Sequence, residues 1–166
     1  MMLLRGIELA GKWTADELKE LEQILRPLPR AWVELNPHFK RLERRPVLED
    51  APPGAPGHSK YEPETATIVV FDKGVYYGRQ IDPEQFRRSV YHELAHAIVR
   101  GTPDLLARWT KATSGDGFVD EYAKTSPEED FCDTFSETII HGDRTAKAVP
   151  HKAAFVRELF TRASFE

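Results

Sequence analysis

The chain has 166 residues, enough for one domain with a core of its own. It is 40% hydrophobic and 30% charged, with a formal net charge of −4 and a pI near 5.9, a balance that argues against a general nucleic-acid binder. The one cysteine, Cys132, rules out an intrachain disulfide. No run of 18 apolar residues occurs, so no membrane span is expected. Met1 to Arg5 is too short and too soon charged for a secretory signal. The cytoplasm is therefore the expected address, with signal-less secretion left open.

Taken in order, Thr14-Ala15-Asp16-Glu17 is a capping box that opens a helix running to about Arg26, with Leu18, Leu21 and Leu25 as its apolar stripe and Pro27 and Pro29 as its stop. Residues 30 to 45 are poorly patterned. Within them Lys40, Arg41, Arg44 and Arg45 form the only dense basic run, most simply a solvated face. Residues 46 to 60 are rich in proline and glycine and predict an exposed loop. Thr65 to Phe71 reads as a buried strand, Asp72-Lys73-Gly74 as a turn, and Val75-Tyr76-Tyr77 as a second short strand. Asp82, Pro83 and Gln85 predict a helix start with a capping box, and Gly101 with Pro103 a stop. A short helix is expected within 102 to 113, a loop at Ser114 to Gly117, a helix from Ser126 to about Ile140 and a last one from Pro150 to about Arg162. The sum is an α+β fold, helix-rich, read as a single domain over residues 1 to 166 with a short sheet before the central helix.

That central helix carries the chemistry. His92-Glu93-Leu94-Ala95-His96 spells His-Glu-x-x-His. On a helix, residues four apart share a face, so two imidazoles can bind one Zn²⁺ while the glutamate works on a water held there. Phe86, Val90, Leu94 and Ile98, with Ala97, mark the core side, and the histidines lie off that stripe.

Catalytic zinc usually takes three protein ligands and leaves a position for water. The metzincin pattern would need Gly at 99 and His at 102, where Val99 and Thr102 stand. Peptide deformylases use an upstream cysteine, whereas Cys132 is downstream. Asp116, Asp120, Glu121, Glu128, Glu129, Asp133, Glu137 and His141 remain as candidates.

The segment Tyr122-Ala123-Lys124-Thr125-Ser126-Pro127-Glu128-Glu129-Asp130-Phe131-Cys132-Asp133-Thr134-Phe135 resembles the second motif of the zinc peptidases related to the anthrax lethal factor catalytic domain. With the His-Glu-x-x-His helix, the likeness spans roughly residues 88 to 135. It implies a zincin-like, gluzincin-type fold, Glu129 as third zinc ligand, Tyr122 as an assisting residue, and Asp133 in the place of the family's second acid, where it would orient a ligand imidazole. Two departures stand out: Cys132 replaces a small alanine, and Asp133 is a shortened glutamate. The same glutamate has another reading, because Ser126-x-x-Glu129 is itself a capping box. Likewise Tyr122 could be a packed aromatic, Asp133 an ordinary polar helix residue, and Cys132 a small core residue rather than a ligand.

The expected function is zinc-dependent peptide hydrolysis on a peptide or protein substrate. Glu93 would be general base and Tyr122 the donor to the oxyanion. The alternatives are a zinc-stabilised module without catalysis, or a regulatory or toxin-like protease with one dedicated target. No nucleic-acid or membrane partner is expected, and oligomeric state is not readable.

Overall fold

The computed structural model describes residues 1–46, 59–71, 76, 77 and 80–165. Among these the fold is mixed α+β, with six helices and a five-stranded sheet. The chain opens with β1 (Met2–Leu4) and β2 (Ile7–Ala10), then α1 (Ala15–Leu25). β3 (Arg41–Arg45), β4 (Ser59–Glu62) and β5 (Thr67–Phe71) follow, then the short pair β6 (Tyr76–Tyr77) and β7 (Gln80–Ile81). The rest is helical: α2 (Pro83–Gly101), α3 (Leu105–Thr113), α4 (Pro127–Ile140), α5 (Gly142–Ala148) and α6 (Pro150–Ala163).

The sheet runs β1-β2-β3-β5-β4, with β2, β3 and β5 parallel and β1 and β4 antiparallel on its edges. β5 carries Ile68, Val69 and Val70 without exposure on either face, as a strand covered on both sides must. Each such side chain contributes roughly 1.5–3 kcal/mol by leaving water. The strand is shorter than its sequence suggests, because Thr65 belongs to a 3₁₀ turn and Ala66 takes a left-handed conformation at φ 51°. β6 pairs with β7 and lies outside the main sheet. The turn expected at Asp72-Lys73-Gly74, Val75, and residues 47–58 of the predicted loop lie outside the described residues.

The basic run is not a solvated face. Arg41 to Arg45 form β3, the middle strand of the sheet, and Leu42 and Arg44 point into the interior. Arg44 pairs with buried Glu17 at 3.4 Å, donates to the carbonyl of Val70 and lies over the Trp13 ring. Arg45 binds Glu43 of its own strand and Glu62 of β4, across β5, each at 2.9 Å, so its charge is matched. The last two residues of the predicted loop, Ser59 and Lys60, likewise belong to a strand, β4.

Helix α1 has the full capping box of Thr14 and Glu17. Helix α2 starts as expected, with Asp82 accepting from the Gln85 amide at 3.2 Å. The Gln85 side chain, however, reaches Ser89 and does not turn back on the cap. Phe86, Val90, Leu94, Ala97 and Ile98 face the core as the stripe predicts, and Tyr91, Glu93 and Ala95 are buried too. The helix is thus wrapped on most of its circumference, and α4 packs along the side that carries the histidines. One hydrophobic cluster links side chains of β2, α1, β3, β5, α2, α3, α4 and α6.

Candidate metal centre

Four elements meet around the histidine pair. His92, Glu93 and His96 come from α2; Glu128, Glu129, Cys132 and Asp133 from the first turns of α4; Tyr122 from the 3₁₀ turn Tyr122–Thr125 just before α4; Ser59 and Tyr61 from edge strand β4. The imidazole centroids are 5.1 Å apart with planes at 70°, as expected of side chains one helical turn apart.

Both imidazoles are held at their Nδ1 atoms by acids of α4. His92 Nδ1 is 2.7 Å from Asp133 Oδ1, and His96 Nδ1 is 3.0 Å from Glu128 Oε1. Both Nε2 atoms turn to Glu129: that of His92 is 3.0 Å from Oε2 and that of His96 3.3 Å from Oε1. Glu129 does not close the capping box with its side chain. Its backbone amide donates to Ser126 Oγ at 3.1 Å, as the cap requires, but its carboxylate faces the imidazoles. Ser126 caps α4, and Glu129 is free for the site.

Glu93 is only 5% exposed. Ser59 Oγ donates to its Oε1 at 2.8 Å, while Oε2 stands 4.0 Å from His96 Nε2, on the side where Glu129 converges. Burial pushes the Glu93 carboxyl above its ordinary value, against the pull of the two histidines. Tyr122 is about half exposed, with its ring 6.1 Å from that of His92. Burial and the Glu129, Glu93 and Asp133 carboxylates push its hydroxyl up to about 12, so it keeps its proton as a donor. Tyr61 lies parallel to the His96 ring, 6.4 Å away, and its hydroxyl donates to the carbonyl of His38.

The charges do not balance. Glu93, Glu128, Glu129 and Asp133 surround two imidazoles. Burial opposes protonation of His92, yet Asp133, Glu129 and Glu93 push its pKa up to about 10. Burial would raise the Glu129 carboxyl, but the two histidines bring it down to about 2. Glu129 Oε2 and Asp133 Oδ2 are both buried; His92 Nε2 stands 3.0 Å from the first, and the Asp120 carboxyl, its pKa raised by burial and by Asp133, adjoins Asp133. An acid-rich pocket with a buried carboxylate opposite two imidazole nitrogens has the composition of a cation site.

Cys132 is also close: one ligand atom each from His92, His96 and Cys132 lie within 4.8 Å of one another. Its thiol is fully buried, and burial with the surrounding carboxylates raises its pKa well above the ordinary value. It faces the core cluster as well as the site.

The remaining ligand candidates have partners of their own, and Asp120 adjoins the site at Asp133. Asp116 accepts from His151 Nδ1 and the Lys152 amide, Glu121 pairs with Lys124, Glu137 with Arg88 and Arg144, and His141 with Glu84. Asp120 caps the Ala123 amide at 2.8 Å, which holds the turn that carries Tyr122. Sequence reasoning did not assign Ser59 and Tyr61 to the site, and no local signal marks them. Glu128 was only one acid among several at a helix start.

No family model, no curated protein and no solved structure matches the chain.

Proposed function

We propose that the protein is a zinc-dependent metallopeptidase of zincin-like architecture, with His92, His96 and Glu129 as the ligands. The observation that carries this reading is the convergence of both Nε2 atoms on the Glu129 carboxylate while both Nδ1 atoms are held by acids. Two imidazoles and one carboxylate are a catalytic zinc donor set, which leaves a position for water. Bound there, zinc would supply a Lewis acid for a peptide carbonyl and lower the pKa of water to about 7.

The chain's own residues divide the remaining work. Glu93 takes a proton from the attacking water and passes it to the leaving amine. Its raised carboxyl suits a group that must both accept and return a proton. Ser59 holds one of its oxygens and leaves the other toward the ligands. Tyr122, protonated and reachable from solvent, donates to the oxyanion of the tetrahedral intermediate. Strand β4 is an edge strand whose side chains touch both Glu93 and His96, and among the described residues nothing pairs with its far side. An extended peptide laid along that edge would pass the site with main-chain hydrogen bonds.

A second reading has its own observation. Cys132 as a fourth ligand would close the site and make it structural. Against this, Cys132 packs into the core cluster, and a structural site has no use for a buried Glu93. Cobalt(II) in place of zinc separates the two: the peptidase reading expects no thiolate charge-transfer band, and the closed site requires one. The activity test is a mixed peptide library digested by zinc-loaded protein and read by mass spectrometry. Wild type produces new peptide termini. Glu93→Gln binds zinc as wild type does and produces none. Equal cleavage by that variant would contradict the assignment.

A further inference from the structure

We infer that Glu128 is a positioning residue of the metal site, which fixes His96 as Asp133 fixes His92. The inference rests on the zinc reading above and adds a second support to it. A carboxylate at Nδ1 holds the proton on that nitrogen and leaves the Nε2 lone pair for a metal. Both ligand imidazoles have such an acid, from the same helix and at similar distances, 2.7 Å for Asp133 and 3.0 Å for Glu128.

The arrangement at His96 follows from sequence adjacency. Glu128 and Glu129 are consecutive residues in the first turn of α4, and they grip one ring from opposite sides, Glu128 at Nδ1 and Glu129 at Nε2. Tyr61, lying parallel to the ring, restrains its tilt, and Glu128 restrains its rotation within that plane. The two supports differ in depth: the Glu128 side chain is 42% exposed, that of Asp133 11%. Water competes for Glu128, so its contribution belongs at the low end of the 10–100-fold range found for such partners.

An acid in the first turn of a helix also favours the helix dipole, and that role would need the charge alone. The test therefore compares Glu128→Ala with Glu128→Gln, whose amide oxygen still accepts from Nδ1–H but carries no charge. Zn²⁺ is titrated into the full chain against a chromophoric chelator, with thermal unfolding of each metal-free variant alongside. Positioning predicts about 10-fold weaker Zn²⁺ binding for Glu128→Ala, a clearly smaller loss for Glu128→Gln, and a larger loss for Asp133→Ala than for either. Equal losses in the two Glu128 variants would reduce the effect to charge and overturn the inference. So would wild-type affinity in Glu128→Ala, with only the melting temperature of the metal-free protein lowered. Either result leaves the zinc reading standing if His96→Ala has lost the metal. Failure of the wild type to bind Zn²⁺ overturns the zinc reading and this inference together.

Discussion

Helix α4 buries carboxylates on two faces, and it treats them in opposite ways. On the rear face Asp130 is matched: Lys152 Nζ stands 2.9 Å from it, Trp109 Nε1 donates to it at 3.0 Å, and Lys152 is further satisfied by the Gly117 carbonyl and the Phe118 ring. On the front face Glu129 and Asp133, with Glu128 at the rim, outnumber the two imidazoles offered to them. A balanced cluster holds a fold together. The unbalanced one in the same helix is held in place by the fold, and zinc would complete it on the reading proposed above.

The comparison can be broken at either face. The largest effect is expected at the rear. Lys152 is 2% exposed and Asp130 6%, so Lys152→Met leaves a buried, unpaired carboxylate and should cost about 3–5 kcal/mol in chemical denaturation. Zinc affinity of the folded fraction should not change. A parallel loss of both would mean that the rear cluster belongs to the site.

At the front, Tyr122→Phe should leave stability and zinc binding intact and slow peptide hydrolysis by about 10²-fold, the scale of one lost oxyanion donor. An unchanged rate would return Tyr122 to packing.

A pH series sharpens the electrostatic side. In metal-free protein the folded pKa of His92 lies near 10, above the ordinary 6.5. Its contribution to stability is complete below pH 6.5 and disappears as pH rises through 10. Zinc requires the neutral ring, so zinc affinity should rise over the same interval while metal-free stability falls. Thermal unfolding across that range, with and without zinc, reads both slopes, and slopes of the same sign would exclude this balance.

What could be read from the chain depended on how local the signal was. Asp82, Pro83 and the four-residue recurrence from Phe86 to Ile98 are short-range facts, and α2 forms where they place it. β3 was hidden because its residues are charged; what makes Arg44 a core residue is Glu17, 27 positions away, together with the Val70 carbonyl. The sequence expectation of a short sheet just before α2 missed that the sheet begins at Met2 and takes its central strand from the unpatterned segment. In the site, the histidines and Glu93 follow from helical spacing. Glu129 had two readings of equal form until its carboxylate was seen turned away from its own cap. Glu128 and Asp130, its neighbours, looked alike in sequence. One faces His96 and the other Lys152, a difference set by the direction each takes around the helix once α2 and α6 have packed on it.

The central claim is that Glu129 completes a metal site with His92 and His96. Zinc competition titration of wild type beside Glu129→Ala tests it most directly. The account predicts about one zinc per chain in the wild type, and a loss in the variant beyond the roughly 100-fold ceiling of a merely orienting partner. Equal affinity in the two proteins would contradict it and remove Glu129 from the ligand set.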